Sequence, residues 1–294
     1  MDALENERPP NLRRQTIWMW VVFFALTVLI GCCCYLLLQT STKRQATPDS
    51  TASQPPPASD HWGDRYCYAG VPQPTPAFHD HITILTNTGY LVGYCEARRD
   101  PVWVCYRLFR PDSLQVPPRP KAFESDLRTT ARVNSRDYTG SGYDRGHMAP
   151  NYAVAVCYGT NAQRETFLMS NIVPQRPTLN RQVWMRLEQT EIRDYAGRYG
   201  QVWVIVGPVF RSHNHLKNDE DIPDACYKII CREEGGSLKM LAFIIPQTVK
   251  GTEFPQQFLT SIHEIETETG LNFFSTMPED LQQRLESEKA TGMW

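Results

Sequence analysis

The spacing of hydrophobic positions divides the chain into four parts. Residues 1–16 are polar and mixed in charge, whereas residues 17–38 contain no charged side chain and no polar face. Residues 39–60 lack apolar periodicity and are rich in Ser, Thr, Gln, Ala and Pro, which predicts a disordered linker. From 61 to 294, apolar runs alternate with polar breaks. This last part predicts one globular domain with a sizeable core.

The apolar run at 17–38 predicts a transmembrane helix, because about 20 apolar residues span a bilayer. A cleavable signal peptide fits less well, since its apolar region is usually shorter, about 7–15 residues. The segment ending at Cys32 resembles a lipobox, so an alternative is a lipoprotein anchored at Cys32. Either anchor predicts a membrane-tethered domain.

Cysteine usage bears on the compartment, because basic residues flank both ends of the apolar run and only mildly favour a cytoplasmic amino terminus. Outside that run the cysteines are even in number, which is typical of disulfides in an oxidising compartment. They are Cys67, Cys95, Cys105, Cys157, Cys226 and Cys231. The alternative is six reduced, partly buried thiols. We expect a single-pass protein whose domain is periplasmic or extracellular.

Short runs rich in branched and aromatic residues predict the strands of the domain. They occupy residues 82–85, 89–95, 102–106, 201–206, 227–230 and 241–245. A turn at 98–101 would join the second and third into a hairpin that places Cys95 opposite Cys105. A disulfide between these two cysteines is therefore predicted.

Helices are predicted at about 160–169, 179–198, 255–268 and 278–290. Within 255–268, apolar residues recur at helical spacing, and Gly270 follows as a stop. Strands and helices together predict a mixed α+β domain.

Two separated segments carry the candidate chemistry. In the first, Arg145 is a permanent cation close to His147, whose imidazole titrates near neutral pH. In the second, a helical pattern places Asn180 and Glu188 two turns apart, each four-residue step being offset by roughly 40°. Their amide and carboxylate oxygens can then face one cleft. A site with only a few protein oxygens suits Mg²⁺, because this ion keeps several waters and takes further ligands from substrate phosphate.

Three motifs resemble the DNA/RNA non-specific endonuclease family, which includes mitochondrial endonuclease G and secreted bacterial nucleases. They are YTGSGYDRGH at 138–147, FLMSNIVPQ at 167–175, and LN at 179–180 followed by Trp184 and Glu188. The resemblance covers roughly residues 75–275. It implies a ββα-metal (His-Me finger) site on a central antiparallel sheet flanked by helices.

The resemblance also implies a role for each candidate residue. His147 is expected to act as the general base, and Asn180 to hold one Mg²⁺ or Mn²⁺. Glu188 would orient metal-bound waters, Arg145 would offset phosphate charge, and Asn171 would lie close to the site. DNA and RNA are the implied substrates, and family members are often dimers, so a homodimer is included. From the local pattern alone, Asp144 is expected either to tie down the turn or to position a neighbour, and Trp184 is expected to belong to the core.

Charge excludes a polycationic nucleic-acid binder, because the formal net charge is -2. A local basic run nevertheless precedes His147 and could follow a phosphate backbone. It comprises Arg119, Lys121, Arg128, Arg132 and Arg136. The alternative for this run is a solvated surface without a partner.

Two other functions stay open from sequence. One is a catalytically inactive, membrane-tethered nucleic-acid-binding protein, and the other is a phosphodiesterase for a smaller substrate. For localisation, the mitochondrial inner membrane is an alternative, although the amino terminus lacks the composition of a transit peptide.

Overall fold

A large antiparallel sheet forms the centre of the protein. The structure, a computed structural model, describes residues 65–294. Its strands are β1 (Gln73–Pro74), β2 (Ile82–Asn87), β3 (Tyr90–Cys95), β4 (Asp100–Phe109), β5 (Asp144–His147), β6 (Ile172–Gln175), β7 (Gln201–Val209), β8 (Ala225–Glu234), β9 (Ser237–Pro246), β10 (Leu259–Thr260) and β11 (Leu271–Asn272). Seven of them form one sheet in the order β10-β9-β8-β7-β4-β3-β2. The strands β5 and β6 pair separately, as do β1 and β11.

Helices flank this sheet. They are α1 (Asn151–Glu165), α2 at residues 179–199, α3 (Ile262–Thr269) and α4 (Glu279–Ser287). Helix α2 changes type along its length: Leu179–Trp184 and Thr190–Ala196 are π-helical, whereas Met185–Gln189 and Gly197–Tyr199 are α-helical. Single turns of 3-10 helix lie at Ser135–Tyr138, Met169–Asn171 and Pro255–Phe258.

Within residues 65–294, two layers of the core pack on the two faces of the sheet, and a smaller third cluster includes Ile172 of β6. One layer receives the apolar side of α2, including the fully buried Leu179, Trp184 and Leu187. The other packs Ile265 of α3 and Phe273 against the opposite sheet face. The mixed architecture with a central antiparallel sheet and flanking helices is confirmed, and Trp184 is a core residue as expected.

Two helix boundaries differ from the sequence prediction. Helix α1 begins at Asn151, well before the predicted start at 160, and contains Gly159 at φ +82°, which interrupts its geometry. The predicted helix at 255–268 is divided into a 3-10 turn, strand β10 and α3. The division falls at Ser261, whose hydroxyl accepts a hydrogen bond from the Glu264 N–H and so caps a new helix.

The predicted disulfide between Cys95 and Cys105 is wrong. Strand β4 starts at Asp100, so the turn lies two residues earlier than expected, and Cys95 pairs with Asp100. Cys105 lies across from Leu91 in the same ladder and is bonded to Cys67, with 5.3 Å between Cα atoms. The other four cysteines of the described region, Cys95 among them, are free thiols.

The predicted transmembrane helix at 17–38, the lipobox at Cys32 and the linker at 39–60 lie outside the described residues. Within 65–294, none of the helices combines the length and apolar character needed to cross a membrane.

Candidate active site

A short hairpin and helix α2 form the frame of the candidate site. In the hairpin, His147 at the end of β5 pairs with Ile172 at the start of β6, and α2 begins at residue 179, soon after β6 ends. The two strands approach closely at Gly146, where an added Cβ would lie 2.3 Å from the Gln175 side chain. Glycine is therefore required beside the histidine, and the two strands followed by α2 form a ββα unit.

One cleft of about 390 Å³ brings together four of the five predicted site residues. Arg145 and His147 line it from the hairpin, and Asn180 and Glu188 line it from α2. The cleft therefore contains a cation, an imidazole, an amide and a carboxylate from separate segments of the chain.

His147 is nearly enclosed, with 9% of its surface exposed. Its ring packs 5.4 Å from the Phe123 ring and 5.0 Å from the Phe167 ring. Burial lowers its pKa to about 3, and the positive charge of Arg119 acts in the same direction. The imidazole is therefore neutral at neutral pH. Its buried Nε2 atom has no hydrogen-bond partner among residues 65–294.

Asn180 is held by a carboxylate from the hairpin. Its Nδ2 atom donates to Asp144 Oδ2 at 3.0 Å. Arg181 also donates to Asp144, from Nε at 2.7 Å and from Nη2 at 2.5 Å. Burial alone would raise the pKa of Asp144, but the bonds from Arg181 and Asn180 outweigh it and hold that pKa below its usual value. Asp144 thus fixes the amide, which matches its expected positioning role.

The Glu188 carboxyl group interacts electrostatically with a buried ion pair, Lys228 and Glu191. Burial raises the pKa of Glu188 to about 7, although the positive charge of Lys228 opposes this shift. The fully buried Lys228 lies 2.5 Å from Glu191 Oε1, and the Tyr106 hydroxyl donates to Glu191 Oε2 at 2.7 Å. The Glu188 carboxyl group therefore exchanges its proton close to neutral pH, where a nearby cation would favour the charged form.

Arg145 is held rigidly at the cleft. Its guanidinium donates to the Ser135 carbonyl oxygen, from Nε at 3.0 Å and also from Nη2. Its central carbon lies 5.8 Å from the centre of the Phe123 ring and 5.5 Å from that of Tyr138. A cation held in this way loses little conformational freedom when it meets an anion.

Asn171 is the fifth predicted residue, and it is not among the residues that line the cleft. Its Nδ2 donates to the carbonyls of Ala149 and Thr166, both at 3.0 Å, and its Oδ1 accepts from the Ala149 N–H at 2.9 Å. It is fully buried. Its amide connects the segment after His147 to the start of β6, so any effect on chemistry acts through the position of His147.

Sequence reasoning missed part of the cationic lining. Arg181 and Arg193 line the cleft together with Arg119, the only member of the predicted basic run that does so among residues 65–294. Arg128 of that run is bonded instead to Asp126. The signal for Arg119 was present in the charge pattern.

Arg193 was not predicted, although one spacing could have indicated it. Residues four apart lie about one α-helical turn apart, and Gln189, four residues before Arg193, lines the same cleft. Glu188 is five residues before Arg193, which corresponds to roughly 140° around an α-helix but to about one turn of a π-helix. The π-helical segment Thr190–Ala196 therefore brings Arg193 closer to the side of Glu188.

The sequence and the fold of this chain are also similar to those of known proteins. The family model for DNA/RNA non-specific endonucleases matches residues 72–280, well over half of the chain. The chain belongs to this family.

Curated relatives of this family member include two mitochondrial proteins. The mitochondrial nuclease EXOG of Xenopus laevis is 32% identical over 210 residues, covering 65% of this chain and 58% of that protein. The mitochondrial endonuclease G of Homo sapiens is 31% identical over 206 residues, covering 64% of this chain and 68% of that protein. The chain spans about three fifths of the length of the EXOG relatives that it matches.

A solved structure supports the same fold. In the crystal structure described as the EndoG/EndoGI complex and the mechanism of EndoG inhibition, one chain superposes with a TM-score of 0.65 and 25% identity. The match covers 81% of this chain and 96% of that chain.

The residues of the cleft fit a divalent cation bound mainly through water. Within residues 65–294, no group of three or more His, Cys, Asp or Glu side chains is arranged to hold a metal ion. The candidate donors are instead the Asn180 amide oxygen and the Glu188 carboxylate. The Asn180 side-chain nitrogen already donates a hydrogen bond to Asp144, so the side-chain oxygen is the amide atom that remains to bind a metal ion. Hard oxygen donors of this kind suit Mg²⁺ and Mn²⁺.

Proposed function

We propose that the protein is a metal-dependent endonuclease that hydrolyses phosphodiester bonds of DNA, RNA or both with little sequence preference. The observation that carries this proposal is the convergence of His147, Asn180 and Glu188 in one cleft with Arg145. Membership of the family supports the same reaction class.

His147 is the general base in this proposal. A general base must be unprotonated at working pH, and burial keeps this imidazole neutral. Its Nε2 is buried and has no hydrogen-bond partner in the described part of the protein, so in this proposal it accepts the proton from an attacking water that reaches it when the substrate binds. The flanking aromatic rings fix the orientation of the imidazole and exclude competing solvent.

Asn180 is the proposed protein ligand of the metal, and Glu188 orients metal-bound waters. A divalent ion, when bound, supplies Lewis-acid stabilisation of the phosphate and of the departing oxygen. Asp144 holds the Asn180 amide in one orientation, so the ligand is preorganised. Arg145, Arg119 and Arg193 offset the charge of the phosphate and of its neighbours.

Cellular context also belongs to the proposal. We infer that residues 17–38 anchor the domain to a membrane, as a single span or through lipidated Cys32. The alternative to an extracytoplasmic location is the mitochondrial inner membrane, and the names of the EXOG and endonuclease G relatives support its mitochondrial part. A homodimer remains part of the proposal on the basis of the family resemblance.

The test of the proposed reaction is a comparison of wild type with His147→Ala on plasmid DNA and on RNA, with Mg²⁺ and with EDTA. General-base catalysis typically contributes about 10²–10⁴-fold, so the variant should lose most of its turnover. His263→Ala is the matched control, because that histidine is exposed on α3 and should leave the rate unchanged. Equal rates for wild type and His147→Ala would refute the assignment.

A further inference from the structure

A second cleft lies further along α2, beyond Glu188. It has a volume of about 440 Å³, and its walls include Arg193, Tyr195 and Arg198 of α2 and Trp294 from the end of the chain. Arg193 also lines the first cleft. The two clefts are therefore neighbours along one helix, and we call the second one the aromatic cleft.

Trp294 is held in the aromatic cleft by a tilted contact with Tyr195 and an edge-to-face contact with Tyr199. Its ring lies 5.0 Å from the Tyr195 ring and 6.0 Å from the Tyr199 ring. The buried Arg232 guanidinium lies 3.8 Å from the centre of the Tyr199 ring and 4.6 Å from that of Trp294. The indole keeps part of its surface exposed. A preoriented, partly open indole suits the face of a nucleobase.

Exposed cations stand beside this indole. Arg193 and Arg198 are exposed. The Arg198 guanidinium lies 5.2 Å from the centre of the Tyr199 ring. Asp194 lines the same cleft, and Glu234 is close enough to Arg198 for the two charges to interact. Two exposed guanidinium groups beside an aromatic cluster have the chemistry by which proteins bind single-stranded nucleic acid.

We propose that the aromatic cleft binds an unpaired nucleotide that flanks the scissile bond, with its base on Trp294 and its phosphate near Arg193 and Arg198. This inference rests on the proposed endonuclease function and adds a preference for unpaired or frayed strands. Arg193 links the two clefts, so a strand whose phosphate lies beside His147 can continue along α2 towards Trp294.

The test is equilibrium binding of labelled oligonucleotides in EDTA, where no metal-dependent cleavage interferes. A single strand of about 12 nucleotides falls within the site sizes of single-strand binders, and a blunt duplex of the same length is the comparison. Trp294→Ala should weaken binding of the single strand about tenfold and that of the duplex much less. Trp294→Phe should retain most of the single-strand affinity, because phenylalanine still stacks.

Arg198→Gln provides a second variant that leaves the indole and its packing in place. It should weaken single-strand binding several-fold and reduce the salt dependence of the binding constant. Thermal melting of each variant checks that the domain is folded. If Trp294→Ala unfolds, the single-strand affinity of Arg198→Gln tests the proposal. The inference is overturned by unchanged single-strand affinity in folded variants, by equal losses for single strand and duplex, or by no single-strand binding in wild type.

Plasmid cleavage in Mg²⁺ is measured in parallel, so the two proposals can fail separately. Cleavage that depends on His147 together with binding that ignores Trp294 and Arg198 would leave the endonuclease in place and remove the aromatic cleft. Binding that depends on Trp294 and Arg198 without metal-dependent cleavage would keep a single-strand binding site but overturn its placement beside a scissile bond, together with the endonuclease.

Discussion

Asn180 shows how one side chain becomes a usable ligand through its neighbour. An asparagine amide has two ends, and an exposed amide can rotate to present either of them. Asp144 accepts a hydrogen bond from the Asn180 nitrogen and is itself held by Arg181. The amide oxygen is therefore oriented before any metal arrives, which reduces the entropic cost of binding.

Asn180→Ala should raise the Mg²⁺ concentration needed for half-maximal cleavage by about 10–100-fold, because loss of a metal-site partner typically has an effect of this size. The measurement is a metal titration of the rate. Gln189→Ala is the control, since Gln189 lines the same cleft on the same helix and has no assigned metal role. Identical titration curves for wild type and Asn180→Ala would remove Asn180 as the ligand.

At this scale, recognisable motifs made His147, Asn180, Glu188 and Arg145 candidates, and the structure brings these four side chains into one cleft. Asn171 was a candidate too, but it does not line the cleft, because its side chain is hydrogen-bonded to Ala149, 22 residues away, and to Thr166, five residues away. No spacing rule specifies such contacts.

At the scale of elements, the site depends on the close fit of the β5–β6 hairpin. Gly146 lies against the Gln175 side chain, which is fully buried and donates from Nε2 to Cys226 Sγ at 3.3 Å. Gln175 belongs to β6, and its side chain lies between Gly146 of β5 and Cys226 of β8. It therefore has little room to move away from an added methyl group.

Gly146→Ala should lower the free energy of unfolding by about 1–3 kcal/mol, the usual cost of overpacking, and should reduce the rate by displacing the adjacent His147. Urea denaturation and the cleavage assay measure the two effects. Gly197→Ala in α2 is the matched control, because its φ is helical at -60° and its Cβ would approach nothing nearer than 3.9 Å. That change should be neutral or stabilise by up to about 1 kcal/mol. A Gly146→Ala protein as stable as wild type would show that the hairpin tolerates a wider spacing.

The strands of the large sheet could be predicted from their branched and aromatic composition, and helix α2 from its apolar spacing. Turn positions and helix type could not. A two-residue shift of the turn before Asp100 moved Cys95 away from Cys105. The π-helical segments of α2 depart from the 3.6-residue periodicity on which the helix prediction was based, so that periodicity could not indicate them.

At the scale of the whole molecule, buried ionisable groups make stability depend on pH. Glu220 and Asp100 are both fully buried. Burial raises the pKa of Glu220 to about 7, against hydrogen bonds from Tyr138 and Asn218 that lower it. Burial also raises the pKa of Asp100 well above its usual value, and the Glu220 charge adds to that shift. His147 acts in the opposite direction, because its pKa is lowered to about 3.

The sign of each contribution follows from which state binds more protons. Between about pH 4.5 and 7, folded Glu220 holds a proton that the unfolded chain has released, so its contribution to stability falls as the pH rises. Between about pH 3 and 6.5, the unfolded chain protonates His147 and the folded chain does not, so that contribution rises with pH. The two slopes partly cancel in wild type.

Glu220→Gln should therefore separate them. Without the titrating carboxyl group, the fall in the free energy of unfolding between pH 4.5 and 8 should be smaller than in wild type. The difference should be on the order of 1–3 kcal/mol. The slope and not the absolute stability is the readout, because the amide changes the hydrogen bonds with Tyr138 and Asn218 at every pH. Glu288→Gln, an exposed site near the end of the chain, should leave the slope unchanged. Parallel pH curves for wild type and Glu220→Gln in urea denaturation would mean that Glu220 is already ionised in the folded protein, and hence that a cation or water reaches the buried carboxyl pair.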